Sequence, residues 1–316
     1  MQKEKSTSNI RNNLSFGARL SSDIRRNRRL YVMMLPVILF YLLFHYVPMF
    51  GAVIAFKEYS PSLGILGSKW VGLMHFKEFF SSYYFGRILK NTILLSVYNI
   101  LFCFPAPIIL ALLLNELKSR HFLKFTQTII YLPRFVSIIV ICSLIKTFTY
   151  SDGLINDLLL PFFGERIPLL QEPKYFRPVY IISEIWQTVG WDSIIYMAAL
   201  AGVDQELYEA AKIDGAGKLR QLFSVTLPSI APTIVVLFII KVGSMMNIGY
   251  EKVILLYNEV IYETADIISS FIYRKGLLDF SWSYSSAVGL FNSVCSFILL
   301  FSANAISRKL TDNSLW

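Results

Sequence analysis

The sequence predicts an all-α, polytopic membrane protein with six transmembrane helices and both termini on the cytoplasmic side. Three observations carry this reading. The chain of 316 residues is 55% hydrophobic and only 16% charged, and its mean hydropathy of +0.52 is too high for a water-soluble chain of that length. Its apolar residues gather into six runs, each of roughly 20 residues, the length a helix needs to cross a bilayer. Between the fourth and fifth runs stands a long polar stretch, 206–228, which must lie at a membrane face.

The runs fall near 31–54, 92–114, 128–148, 179–200, 229–248 and 284–306. Each is expected as a helix, because lipid offers the backbone no hydrogen-bond partners and no run alternates as a barrel strand does. Pro36, Pro48 and Gly51 in the first run, Pro105 and Pro107 in the second and Pro133 near the start of the third predict kinks. Neighbouring helices in a bundle can satisfy the carbonyls that proline frees. No internal repeat or low-complexity segment divides the chain. The expected organisation is a basic cytoplasmic arm at 1–30, one membrane domain at 31–306 and a cytoplasmic tail at 307–316.

Orientation follows from the basic residues. The net charge is +9, and much of the excess, Lys3, Lys5, Arg11, Arg19, Arg25, Arg26, Arg28 and Arg29, directly precedes the first run. That is the flank expected on the inner side beside anionic lipid, and its placement argues against a nucleic-acid partner. The length of this polar arm argues against a cleavable signal peptide. With the arm inside, Lys118, Arg120 and Lys124, then Lys212, Lys218 and Arg220, and finally Arg308 and Lys309 also fall inside. The outer segments balance their bases with Asp152, Asp157, Glu165 and Glu172 in one loop and Glu259, Glu263, Asp266 and Asp279 in another. The loop at 57–90 is rich in aromatic residues that suit the membrane interface. The loop at 152–177, with Pro161, Pro168 and Pro173, is expected as an ordered outer turn. The segment at 249–283 is expected to be partly helical and amphipathic, placed at the outer face to meet an external partner.

The polar stretch 206–228 predicts two short helices around a glycine turn. Leu207, Ala210, Ala211 and Asp214 share one helical face, Gly215 and Gly217 stop that helix, and 218–226 forms a second one ended by Pro228. The result is a compact cytoplasmic knob. Gly217-Lys218 is not part of a phosphate-binding P-loop, because Lys212 stands where the first glycine is required and Leu219 where Ser or Thr is required. The chain is therefore not expected to bind ATP itself.

Charged side chains inside membrane runs are costly and mark cavities, partners or pathways. Glu184 lies early in the fourth run and Lys241 midway along the fifth, at depths that differ by about four residues, or roughly 6 Å of helix rise, so a pair between them is one reading. Glu184, Gln187, Thr188 and Trp191 share a face of the fourth helix. Lys241 and Ser244 share a face of the fifth, with Asn247 at its margin. On the sixth, Tyr284, Ala287 and Phe291 form a stripe with Asn292 beside it. Aromatic rings beside amides and hydroxyls suit a sugar, and an aromatic stripe equally suits plain packing. Glu184, Gln187, Thr188, Trp191, Lys241, Ser244, Asn247 and Asn292 are the candidate substrate-pathway residues.

No catalytic constellation stands out. Cys103, Cys142 and Cys295 lie within apolar runs without metal-ligand spacing, and His45, His75 and His121 have no ligand partner at i+4. No metal site and no enzymatic activity are expected.

Glu209-Ala210-Ala211, Gly215 and Leu227-Pro228, with Val225 in the place of an isoleucine, resemble the EAA coupling loop of ABC-type importer permeases. The stretches RRNRRLYVMMLPVILFYLLFHYVPMFGAVIAFKEYS, YLPRFVS, VGWDSIIYMAALAGVDQELYEAAKIDGAG and YSSAVGLFNSV extend the likeness over nearly the whole chain. They resemble the six-helix permeases of carbohydrate-uptake ABC transporters, in the oligosaccharide branch related to the maltose-system permeases. The resemblance implies the ABC importer permease fold and a non-enzymatic transport subunit in a bacterial inner (cytoplasmic) membrane. It implies a second permease subunit, cytoplasmic ATPase subunits that bind the ATP and magnesium, an extracytoplasmic solute-binding protein and a carbohydrate substrate. It assigns ATPase coupling to Glu209, Ala210, Ala211 and Gly215, with Asp214 and Gly217 in the same turn. It also places the fourth- and fifth-helix faces along the sugar path, where Glu184 and Lys241 are more charged than a typical sugar site and suit an acidic saccharide or each other. The alternatives are an ABC permease for amino acids, peptides or phosphate, and a carrier or channel that works without an ATPase.

Overall fold

The computed structural model describes residue 17, residues 23–311 and residues 314–315. Lys3, Lys5, Arg11 and Arg19 of the basic arm and Trp316 of the tail lie outside these residues, while Arg25, Arg26, Arg28 and Arg29 are exposed beside the first helix.

Helix α1 (Arg28–Phe56) is uncovered by the rest of the chain along its whole apolar window. A short antiparallel pair, β1 (Lys57–Glu58) with β2 (Lys69–Trp70), follows in the register Lys57↔Trp70. Then come α2 (Met74–Ser81), α3 (Tyr83–Asn115), α4 (Arg120–Tyr131), α5 (Ile138–Thr149), α6 (Leu154–Phe163) and α7 (Pro173–Ala201). The second half holds α8 (Gln205–Ile213), α9 (Lys218–Gly243), α10 (Tyr250–Leu256), α11 (Ile268–Tyr273) and α12 (Trp282–Thr311).

Among the described residues, α1, α3, α5 with α6, α9 and α12 are long and apolar enough to cross a membrane. The expected fourth span corresponds to α7, whose 29 residues would extend about 44 Å. It is more polar for a physical reason: one side of it packs against α3, α4 and α9, where neighbouring helices rather than lipid cover it, while Ile182, Trp186 and Ile195 are exposed on the other. Phe176, Tyr180, Gln187, Ser193, Tyr196 and Leu200 are all buried along it. Gly190 is where α7 meets α4 most closely, since a Cβ there would stand 2.3 Å from the Ile130 carbonyl oxygen.

Besides α3, which begins at Tyr83 rather than near 92, and α9, which ends at Gly243 rather than near 248, two segments differ from the sequence expectation. The third run, 128–148, is broken: α4 gives way to a 3-10 turn at Leu132–Phe135, the chain extends at Val136, and Ser137 caps α5 by accepting the Val140 N–H. Pro133 and the cap residue Ser137 together end one helix and start the next. The loop at 152–177 is also more than a turn, because α6 prolongs the third span to Phe163 and ends at Gly164 in a left-handed cap.

Proline leaves a recurring mark. Pro48, Pro105 and Pro228 each follow a π turn, at Leu42–Tyr46, Asn99–Cys103 and Leu222–Thr226. In each case the residue just before the proline donates to the carbonyl five positions back: Val47 to Leu42, Phe104 to Asn99 and Leu227 to Leu222. Proline offers no N–H and its ring crowds the carbonyl four back, so the ladder widens by one residue and the helix continues. Pro228 therefore does not end the helix that starts at Lys218, and the second helix of the polar stretch and the fifth span are one continuous rod.

The segment between α9 and α12 is pinned by buried polar contacts. Asp266 is fully buried and accepts from Arg274 Nη2 at 2.7 Å and from the Ser270 hydroxyl at 2.9 Å, with Arg87 at 3.6 Å. Asn91 of α3 donates to the Glu263 and Asp266 carbonyls and accepts from Arg177 of α7. Burial works against the Arg274 charge, but the hydrogen bonds and charge of Asp266 outweigh it and raise its pKa above the ordinary arginine value. The network ties this segment to α3 and α7 far more firmly than a surface amphipathic stretch would be.

Candidate functional site

The knob at 206–228 is built as its residue types dictate. Asp204 caps α8 by accepting the Glu206 N–H, and the helix closes through Asp214, whose N–H donates to Ala210. Gly215 takes a φ of +75°, a left-handed conformation that glycine adopts without strain. The turn folds back so that the Ala216 N–H reaches the Ala211 carbonyl at 2.8 Å and Ala216 becomes buried. Gly217 is the first cap of α9. Gln221 donates to the Ala216 carbonyl, and the Tyr208 hydroxyl meets the Thr226 hydroxyl at 3.0 Å, locking α8 against the start of α9. Glu209, Ala210, Asp214, Gly215 and Gly217 are exposed, Ala211 half-buried. Ile213, Leu219 and Phe223 leave 86%, 74% and 68% of their surfaces exposed. The knob is thus held together by internal hydrogen bonds and presents a mixed surface, in which these apolar side chains stand among the exposed charges of Glu209, Lys212, Asp214 and Arg220. Lys218 pairs with Glu116 at the end of α3, which anchors the knob to a second span.

The intramembrane charges form a different arrangement from the pair that helix depth suggests. Glu184 pairs with Lys252, not Lys241: Lys252 Nζ donates to Glu184 Oε2 at 2.9 Å, and the ammonium lies 5.2 Å from the centre of the Tyr180 ring. Chain reversal after α9 causes this. Gly249, at a φ of +32°, packs so tightly on Tyr180 that a Cβ would stand 1.8 Å from its hydroxyl. The turn drives the first part of α10 inward and buries Lys252.

Lys241 stays on the wall of the same cavity, about 140 Å³ in volume, with Glu184, Ser244, Asn247, Asn99 and Tyr180. It makes no ion pair among the described residues, although Asp192 lies within coulombic range. The buried Oδ1 of Asn99 has no hydrogen-bond partner among the described residues. Ser96 donates to the Met245 carbonyl at the cavity edge. Asn99, Ser96, Tyr180 and Lys252 were not among the sequence candidates. Asn91, Thr92, Ser96 and Asn99 recur along the inner face of α3, and that spacing was the available signal.

The other candidates stand apart. Gln187 is buried and Thr188 half-buried, both away from the cavity wall. Trp191 is 42% exposed and meets Phe135 edge-on at 5.7 Å. Asn292 reaches the cavity indirectly, donating to Asn247 Oδ1 at 2.6 Å. Tyr284 and Phe291 pack against Phe79 in the core, so the stripe on the sixth helix is packing.

A bundle of membrane helices, a polar cavity within it and a preformed knob on its end define a transport subunit. The chain belongs to the family described as the binding-protein-dependent transport system inner membrane component, which covers residues 79–312. It is 46% identical over 299 residues to the polygalacturonan/rhamnogalacturonan transport system permease protein YteP of Bacillus subtilis (strain 168), spanning 94% of this chain and 93% of that protein. It is 45% identical over 294 residues to protein LplB of the same organism, spanning 93% and 92%. A crystal structure of a bacterial ABC transporter involved in the import of the acidic polysaccharide alginate contains a chain that superposes with a TM-score of 0.86 at 43% identity, covering 93% of this chain and 99% of that chain. The bacterial alginate ABC transporter in complex with an alginate pentasaccharide-bound periplasmic protein gives 0.87 at 42% identity, covering 94% and 100%. The chain is therefore a multi-pass ABC importer permease of the sugar-transport type, and not an enzyme.

Proposed function

We propose that this permease forms half of the pathway by which an acidic oligosaccharide enters a bacterial cytoplasm, across the inner membrane, with ATP hydrolysed by a separate subunit. The membrane domain is 31–306, with a cytoplasmic arm at 1–30 and tail at 307–316. The observation that carries the substrate class is the state of the two lysines. Glu184 is already neutralised by Lys252, whereas Lys241 faces the cavity without an ion-pair partner among the described residues. An ammonium held ready in a sheltered site suits a carboxylate, because a charge-assisted hydrogen bond is stronger away from bulk water. The similarity to YteP, named for polygalacturonan and rhamnogalacturonan transport, and to the importer of the acidic polysaccharide alginate supports the same class. Ser244 and Asn247 offer a hydroxyl and an amide beside Lys241, suited to sugar hydroxyls.

The partners are a second permease that completes the pathway, cytoplasmic ATPase subunits seated on Glu209, Ala210, Ala211, Asp214, Gly215 and Gly217, and an extracytoplasmic binding protein that delivers substrate. The exposed apolar residues around the knob support its seating in an ATPase cleft.

Uptake by cells carrying the complete transporter tests the substrate class. Lys241→Gln is expected to raise KM for tetragalacturonate about tenfold, the loss of one charge-assisted contact. The methyl-esterified tetramer, which has no carboxylates, should be affected less than twofold. Equal effects on both would remove Lys241 from carboxylate recognition.

A further inference from the structure

The charged cavity is too small to hold a sugar chain. Its volume is about 140 Å³, whereas ligand pockets run from roughly 300 to 1,000 Å³. A second cleft of about 900 Å³ opens beside it, and Asn247 lines both. It lies where the end of α1, the segment after α9, α11 and the start of α12 converge, at the outer end of the bundle in the proposed orientation. Tyr59, Tyr250, Tyr273 and Trp282 bring four aromatic side chains to its walls. Tyr59 and Trp282 meet edge-on at 5.9 Å, and the Tyr59 N–H donates to Ser283, so the residue after β1 is fixed to the start of α12. Tyr250 is 44% exposed.

The cleft also contains an incomplete hydrogen-bond site. Asn292 is only 3% exposed, its amide nitrogen donates to Asn247, and its Oδ1 is buried without a hydrogen-bond partner among the described residues. A buried amide oxygen left unpaired costs free energy, which a ligand hydroxyl would recover once the Asn292 side chain turns toward the cleft. Rings present apolar faces to the apolar side of a pyranose, while amides take its hydroxyls. Gly289 adds no side chain to the floor, and its nearest neighbour would sit 4.0 Å from a Cβ.

We infer that the cleft bounded by Tyr59, Tyr250, Tyr273 and Trp282 is a saccharide subsite, which receives part of an oligosaccharide before a sugar unit reaches Lys241 past Asn247. The inference rests on the reading of the chain as a saccharide permease and adds a place where the chain waits. The cleft has room for a whole sugar residue and the charged cavity does not.

The test uses the assembled transporter, purified through this chain in lipid nanodiscs, titrated separately with tetragalacturonate and with maltotetraose while tryptophan emission is followed. The subsite predicts a saturable change that disappears in Trp282→Phe. Its midpoint should rise about tenfold in Tyr250→Ala and in Asn292→Ala, through loss of a ring face or a hydrogen bond. Tyr250 stands on the rim, so its truncation probes the subsite without touching the buried amide pair. A response to maltotetraose alone would uphold the subsite and overturn the acidic substrate class proposed above. Absence of a saturable response to both sugars, or the same response in Trp282→Phe, would overturn the subsite.

Discussion

Lys252 determines what Glu184 and Lys241 can do. By taking up the Glu184 carboxylate at 2.9 Å, it leaves Lys241 on the cavity wall with no ion-pair partner among the described residues. Lys252→Met should leave Glu184 charged in a site sheltered from water, a loss of about 3 kcal/mol for one side of a buried pair. It would appear as a lower melting temperature of the purified transporter. Adding Glu184→Gln to that variant should recover most of the loss; a double variant no more stable than the single one would show that the two groups are not coupled. Glu184 was legible in the sequence as a charge in an apolar run. Its partner was not, because Lys252 lies 68 residues away in a segment whose mixed charges look like surface. Counting helix depth points to Lys241. Only the reversal at Gly249 brings Lys252 down onto Tyr180, and one glycine in a sequence does not announce that fold.

At the scale of the element, prolines mark where the spans depart from a regular α-helical ladder. A disturbance at Pro48 and Pro105 was predictable from proline itself, whereas the π turns found there depend on the carbonyls of each particular helix. The continuity of α9 through Pro228 was misread for the same reason. The glycines separate packing from turn chemistry. Gly190 lets α7 lie against the backbone of α4, while Gly217 has open space around it. Gly190→Ala should destabilise the protein by about 1–3 kcal/mol, the usual effect of overpacking, and Gly217→Ala should leave the melting temperature unchanged. Equal melting temperatures for the two variants would mean that α4 and α7 do not touch as described. The EAA spacing located the knob in the sequence because helix formers, glycines and the Asp204 cap act locally. The lock between Tyr208 and Thr226 was not legible, since nothing local pairs residues eighteen apart.

For the whole molecule, the knob and the cavity are two ends of one lever. Lys218 starts α9 in the knob and Lys241 stands near its far end; the 23 residues of rise between them span about 35 Å. Tyr208 and Gln221 fix α8 to that rod, and the Lys218–Glu116 pair ties the same end to α3, which carries Ser96 and Asn99 at the cavity. α8 is thereby connected to two helices that line the cavity. The membrane class and most of the spans were readable from hydropathy alone. What covers α1, whose apolar window is bare in this chain, was not, because lipid and a neighbouring helix select the same side chains. The central claim is that the knob receives force from the ATPase, and the most direct measurement places a cysteine at Ile213, the most exposed apolar position of α8. Cross-linked to a cysteine in the ATPase cleft of the complete transporter, Ile213→Cys should form the link from the cytoplasmic side, stop ATP-driven saccharide uptake, and regain uptake when the link is reduced. Labelling of that cysteine from outside the cell, or native uptake with the link intact, would contradict it.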